Sequence, residues 1–96
     1  MEKVMGLCAG RHAIPVDEYI FTTDLDPLDY DEMYRQAMKV VPEWGTLIVY
    51  VTGLTAAMLA VVAACEDKHC VLTAKHYDRE SGTYKSQVVL NGFEWA

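Results

Sequence analysis

The feature that most constrains this chain is the uncharged apolar run LIVYVTGLTAAMLAVVAAC at residues 47–65. A helix of about 20 apolar residues can cross a bilayer, so a membrane span is one interpretation. The composition changes inside the run, however. Residues 46–51 are rich in β-branched and aromatic side chains, which is typical of a strand buried on both faces, whereas residues 55–65 are rich in Ala, Met and Leu, which favour a helix. A strand that leads into a helix explains the run better, and no membrane partner is expected.

The remaining elements follow from periodicity and turn residues. Apolar residues recur at helical spacing through Met33, Ala37 and Val41, and Asp29 with Glu32 resembles a capping box. The polar segment 78–82 contains a glycine and predicts an antiparallel hairpin of the last two strands. The predicted elements are strand 3–9, helix 30–41, strand 46–51, helix 55–65, strand 70–77 and strand 84–90.

The predicted order is therefore β-α-β-α-β-β, which indicates an α/β fold. Strands that alternate with helices favour a three-layer sheet, mostly parallel, with an antiparallel edge hairpin. A chain of 96 residues is expected to form one domain, spanning 1–96.

The charge balance disfavours one class of partner. Eight Lys and Arg stand against fourteen Asp and Glu, for a formal charge of −6. Binding along DNA or long RNA needs many basic side chains to displace counterions, so neither polymer is an expected partner. A small anion held at one local site remains compatible with this balance.

The cysteines and the N-terminus indicate a cytoplasmic location. Three cysteines without paired C-x-x-C motifs fit a reduced compartment better than a disulfide framework, and the first residues lack the long apolar segment of a secretory signal. Cys65, His69 and Cys70 supply three possible metal donors, whereas structural zinc sites use four. No metal or other cofactor is expected.

Groups suited to phosphate follow three predicted strands. Carboxyl ends of parallel strands share one sheet edge, and helix N-termini there present unpaired N–H groups and partial positive charge. Glycine backbone, hydroxyl, guanidinium and imidazole groups would meet at this edge. The candidate residues are Gly10, Arg11 and His12 after the first strand, Thr52, Gly53, Leu54 and Thr55 after the second, and His76, Tyr77 and Arg79 at the end of the third.

Each of these residues also has a purely structural interpretation. The two glycines can make turns, Thr52 or Thr55 can cap a helix, and Arg11 can pair with a nearby carboxylate. A small interaction protein without a ligand is therefore an alternative, and only the convergence of these groups favours a ligand site.

The run IVYVTGLTAAMLAVVAAC, followed by an apolar strand and the hairpin HYDRESGTY, resembles the CRISPR-associated Rossmann-fold (CARF) domains. In those domains a buried strand runs into a Thr/Ser-Gly-x-Thr turn and then an Ala/Met-rich helix. The resemblance covers roughly residues 45–90. Leu54 stands where a second glycine is usual, and Ala56 stands where lysine is frequent, so Arg11 or Arg79 would have to supply the charge.

The resemblance implies a Rossmann-like domain that binds a cyclic oligoadenylate across a homodimer. Small proteins of this kind can be ring nucleases that cut this second messenger of type III CRISPR immunity without a metal ion. Arg11 would neutralise phosphate charge, His12 or His76 would move a proton, and the N–H groups of residues 53–55 would hold the phosphate. Phe93 and Trp95 at the C-terminus offer further apolar surface for a dimer.

Two other functions stay open at this point. The same fold could bind a nucleotide without cutting it, as a sensor or a sponge. The segment GRHAIP also looks like the Arg-His-Gly signature of histidine phosphatases, but Ala13 replaces that glycine and the chain is far shorter than those enzymes.

Overall fold

The fold is a five-stranded sheet with two helices. The computed structural model describes residues 1–10 and 14–91. Its elements are β1 (Glu2–Cys8), β2 (Tyr19–Phe21), α1 (Tyr30–Val40), β3 (Thr46–Tyr50), α2 (Thr55–Asp67), β4 (Val71–Asp78) and β5 (Thr83–Leu90).

The strands are arranged in the order β2-β1-β3-β4-β5. The first three pairings along this order are parallel, and β5 pairs with β4 in the antiparallel sense. The sheet is therefore mostly parallel with an antiparallel edge hairpin, as predicted. The parallel pairings bring the carboxyl ends of β1, β3 and β4 to one edge.

Both helices lie on one face of the sheet. The helices pack against each other, and their apolar residues share a single core with alternate residues of the central strands. On α1 these core residues include Met33 and Ala37, and on α2 they include Ala57 and Val61. The strand residues on this face are buried: Met5, Leu7, Leu47, Val49, Leu72 and Ala74.

The other face of the sheet, which we call the open face, is only partly covered. Strand register places one row of residues across four strands there, and Val4 and Val88 of that row are 43% and 61% exposed. Near Gly6 this face is covered by the side chains of Ile14 and Tyr19. The open face comprises Val4, Ile48, Tyr50, Thr73, Tyr77, Tyr84 and Val88.

The apolar run at 47–65 divides into a strand and a helix, as predicted. The strand β3 ends at Tyr50 and α2 begins at Thr55, with Thr52 and Gly53 between them. Within residues 1–10 and 14–91, no helix has the length and apolarity needed to cross a bilayer. The predicted cap at Asp29 is also confirmed, because its carboxylate accepts the Glu32 backbone N–H at 3.1 Å.

Two predictions about the fold need correction. The strand β2, of three residues, was expected to be loop, because so short a segment carries no readable alternation. The expected three layers are two within the described residues, since both helices cover the same face. Ile48 and Tyr50 of β3 consequently remain partly exposed, although the apolar run predicted burial on both sides.

Candidate functional site

A cavity of about 740 Å³ opens where β3 and β4 end. We call it the strand-end pocket. Its volume lies within the range of roughly 300–1,000 Å³ typical of small-molecule sites. Its described lining residues are Ile14, Val51, Thr52, Gly53, His76, Tyr77, Arg79 and Tyr84.

Thr52 fixes the floor of the strand-end pocket. Its side chain is 2% exposed, and its hydroxyl oxygen accepts the backbone N–H of Cys8 at 3.3 Å. This bond joins the carboxyl ends of β1 and β3. A hydroxyl that accepts one hydrogen bond keeps its own hydrogen as a donor. Thr52 can therefore support the sheet and donate to a bound oxygen atom at the same time.

Gly53 forms the turn between β3 and α2. Its φ is 69°, in the left-handed region that favours glycine, and a Cβ atom built there would meet nothing within 4 Å. The backbone angle, rather than a lack of space, is the reason for glycine at this position. Leu54 occupies the N-cap of α2 and makes no side-chain cap bond, so neither threonine of this turn caps the helix.

The hairpin turn brings Arg79 to the strand-end pocket. Asp78 organises this turn, because its carboxylate accepts the Glu80 backbone N–H at 3.1 Å and the Ser81 hydroxyl at 2.9 Å. Gly82 completes the turn with a φ of 67°. Among the described residues, Arg79 forms no ion pair, so its guanidinium is available to an anion.

Three tyrosines form an aromatic cluster on the open face beside the pocket. The ring centroids of Tyr50 and Tyr84 are 4.8 Å apart, and those of Tyr77 and Tyr84 are 5.4 Å apart, both in edge-to-face geometry. Tyr84 was not predicted as a site residue. Its signal was available in the hairpin, since a turn at residues 79–82 pairs Tyr84 with Tyr77 across the two strands.

The strand-end pocket brings together five of the candidate residues, Thr52, Gly53, His76, Tyr77 and Arg79. Gly10, Leu54 and Thr55 are not among the described lining residues. Gly10 has a φ of 77°, and a Cβ atom there would lie 2.7 Å from the Thr23 side chain, so this glycine is needed for the local turn. Arg11 and His12 lie outside the described residues, as does the predicted apolar pair Phe93 and Trp95.

A second, smaller cavity has the opposite electrostatic character. It measures about 210 Å³ and lies between the end of β2 and the start of α1. The Thr22 hydroxyl donates to the Asp24 carboxylate and lowers its pKa, which keeps that group charged. Such carboxylates repel phosphate, so an anionic ligand favours the strand-end pocket. The lining residues of this cavity are Thr22, Asp24, Leu25, Asp26, Asp29, Glu32 and Gln36.

The cysteines next to His69 are buried rather than arranged around a metal ion. Cys65 and Cys70 have no exposed surface, and a hydrogen bond between the two thiols, together with burial, raises the pKa of Cys65. His69 stacks on Trp44 with ring centroids 4.4 Å apart. Within the part of the chain that the structure describes, no three donor side chains are placed to share a metal ion.

No protein-family model, curated protein or solved structure matches this chain. The geometry of the strand-end pocket is therefore the basis for assigning a function.

Proposed function

We propose that the strand-end pocket binds a cyclic oligoadenylate across a homodimer and cleaves it by a metal-independent reaction, as expected of a CARF-like ring nuclease. One observation carries the proposal. Two separate parts of the chain, Thr52 with Gly53 and His76 with Arg79, line one cavity that the aromatic side chains of Tyr77 and Tyr84 also line. The polar and cationic groups suit a phosphate, and the aromatic rings suit a nucleobase.

The phosphate end of the pocket supports anion binding. The guanidinium of Arg79 can make charge-assisted hydrogen bonds to phosphate oxygens, which are roughly twice as strong as neutral ones. The hydroxyl of Thr52 adds a further donor. The N-terminus of α2 begins two residues after Gly53 and contributes partial positive charge at the same edge. These groups would supply the positive charge that a lysine frequently provides in CARF domains, where this chain has Ala56.

In the proposed reaction, a ribose 2′-hydroxyl oxygen attacks the adjacent phosphorus atom. A P–O bond forms to that oxygen, and the bond to the 5′ oxygen breaks. The products carry a 2′,3′-cyclic phosphate and a 5′-hydroxyl, so the proton lost by the 2′-hydroxyl is balanced by one gained at the 5′ oxygen. Among the described residues that line the pocket, His76 has the side chain suited to moving that proton. Arg79 stabilises the charge that develops on the phosphorane, and the resemblance assigns Arg11 and His12 to the same work.

The homodimer is supported by symmetry and by exposed apolar surface. A cyclic ligand with two-fold symmetry matches a two-fold dimer in which each subunit offers the same loops. On the open face, Val4 and Val88 are exposed in the row that they form with Ile48 and Thr73, and the proposed occupant of this row is the same row of a second copy, which leaves Tyr77 at the strand ends to the ligand.

The test is incubation of the full chain with labelled cyclic tetra-adenylate and cyclic hexa-adenylate, in the presence and absence of a chelator. Conversion to linear products ending in 2′,3′-cyclic phosphate, unaffected by chelator, is the expected result. The melting temperature is measured in parallel, because a ligand that binds the folded state raises it by mass action. Binding without products would refute the cleavage step and identify a sensor or sponge, and absence of both would refute the proposal.

A further inference from the structure

The aromatic wall of the strand-end pocket leaves one large ring exposed. Tyr77 is 57% exposed at the end of β4, and it lies in the same cavity as His76 and Arg79. Neighbouring Tyr84 and Tyr50 are only partly exposed. The ring of Tyr77 is thus the part of this wall that a ligand can reach.

Contacts on the open face hold this ring in place. Tyr84 meets Tyr77 at an interplanar angle of 67° and meets Tyr50 at 81°. Tyr50 in turn lies in β3, with the Lys75 ammonium 6.0 Å from its ring centroid. A ring held by such contacts loses little conformational freedom when a ligand stacks on it.

We propose that Tyr77 is a base-stacking residue, which binds the face of a purine while Arg79 binds the phosphate of the same ligand. This inference rests on the proposed function and specifies which part of the ligand the aromatic wall contacts. Nucleobases stack on aromatic side chains, and loss of such a ring weakens binding by roughly fivefold to a hundredfold per base. Tyr84 acts as a positioning residue, because it contacts Tyr77 and fixes the ring.

Hairpin stability alone does not account for this arrangement. A cross-strand tyrosine pair stabilises a hairpin by burying the two rings against each other. Tyr84 fits that role, since it is enclosed by two neighbours, but more than half of the Tyr77 surface stays open. Tyr77 lines the same cavity as the guanidinium of Arg79.

The experiment measures the affinity of Tyr77→Leu and Tyr77→Phe for cyclic tetra-adenylate and cyclic tetra-uridylate. Loss of the ring should weaken binding of the adenylate by about tenfold, whereas Phe should keep the wild-type affinity because it retains the ring. Binding of the uridylate should weaken less in Tyr77→Leu, since a pyrimidine stacks over a smaller area. Tyr30→Leu is the matched control, because Tyr30 is an exposed tyrosine at the start of α1 outside the pocket.

The outcomes separate this inference from the proposed function. If wild type and Tyr77→Leu both bound cyclic tetra-adenylate with equal affinity, the stacking role would be overturned and the proposed function would stand. Absence of binding by the wild type would overturn both. A 2-aminopurine base in the ligand reports stacking directly, and its fluorescence should be quenched by wild type and by Tyr77→Phe but not by Tyr77→Leu.

Discussion

The hydroxyl of Thr52 contributes both to the fold and to the candidate site. Its hydroxyl oxygen accepts the buried Cys8 N–H, so Thr52→Val should remove the hydrogen bond that joins β1 to β3. A hydrogen bond of this kind contributes about 0.5–1.5 kcal/mol, and we expect the free energy of unfolding in urea to fall by that amount. Thr55→Val is the matched control, because Thr55 is exposed and makes no cap bond. Equal stability of the two variants would show that the Thr52 hydroxyl does not link β1 to β3.

Arg79 is the residue expected to contribute most to phosphate binding. Arg79→Gln should weaken binding of cyclic tetra-adenylate by about tenfold to a hundredfold, since a hydrogen bond to a charged group is worth roughly 1.5–3 kcal/mol. Titration calorimetry at low and high salt measures the change, and the variant should also show a weaker salt dependence. Arg35→Gln serves as the control, because Arg35 pairs with Glu32 on the surface of α1. Equal losses in the two variants would indicate a general charge effect rather than a contact in the pocket.

At the scale of secondary-structure elements, the β4–β5 hairpin positions Arg79 and the aromatic cluster. Asp78→Ala removes both turn bonds that its carboxylate accepts. The expected result is a several-fold loss of ligand affinity from a turn that no longer holds Arg79 in place, because a misplaced group loses most of its binding contribution. Glu80→Ala in the same turn removes a carboxylate that accepts none of these bonds. If Asp78→Ala bound as tightly as Glu80→Ala, the turn would have no role in positioning Arg79.

The elements were predictable to different degrees, for physical reasons. The change of composition at Thr52 located the boundary between β3 and α2, and the Asp29 carboxylate located the start of α1, because both signals are local. The short strand β2 was missed, since its three residues become a strand only by pairing with β1. The expectation of three layers also needs correction: the side on which a helix packs follows from the strand order through the right-handed crossover, and the strand order leaves no pattern in the sequence.

The candidate site was predictable where it depends on strand ends. Parallel pairing brings Thr52 and His76 to one edge, so their convergence followed from the predicted topology. Tyr77 was predicted at this edge, whereas Tyr84 was not, although the hairpin register pairs the two; Tyr50 joins them only through the register of three strands. Whether Arg11 joins this edge is still a prediction, because it lies outside the described residues.

At the scale of the whole molecule, the open-face row of Val4, Ile48, Thr73 and Val88 is the proposed dimer surface. Val88→Lys would place an unpaired charge in that interface, and we expect dimer affinity to fall by about tenfold or more because burying such a charge is costly. Gln87→Lys is the matched control, since Gln87 is exposed on the same strand and points to the opposite face. Analytical ultracentrifugation measures both. An unchanged dimer in Val88→Lys, or a wild type that is monomeric with ligand present, would contradict the proposed surface.

The most direct test of the central claim is an amide chemical-shift titration of the full chain with cyclic tetra-adenylate. The strand-end pocket predicts that the largest shifts fall at Thr52, Gly53, Tyr77 and Arg79, with small changes around the acidic cavity at residues 22–36. Binding should saturate at one molecule of cyclic tetra-adenylate per dimer. Largest shifts around the acidic cavity, or no shifts at ligand concentrations in the millimolar range, would contradict the assignment of this pocket as a nucleotide site.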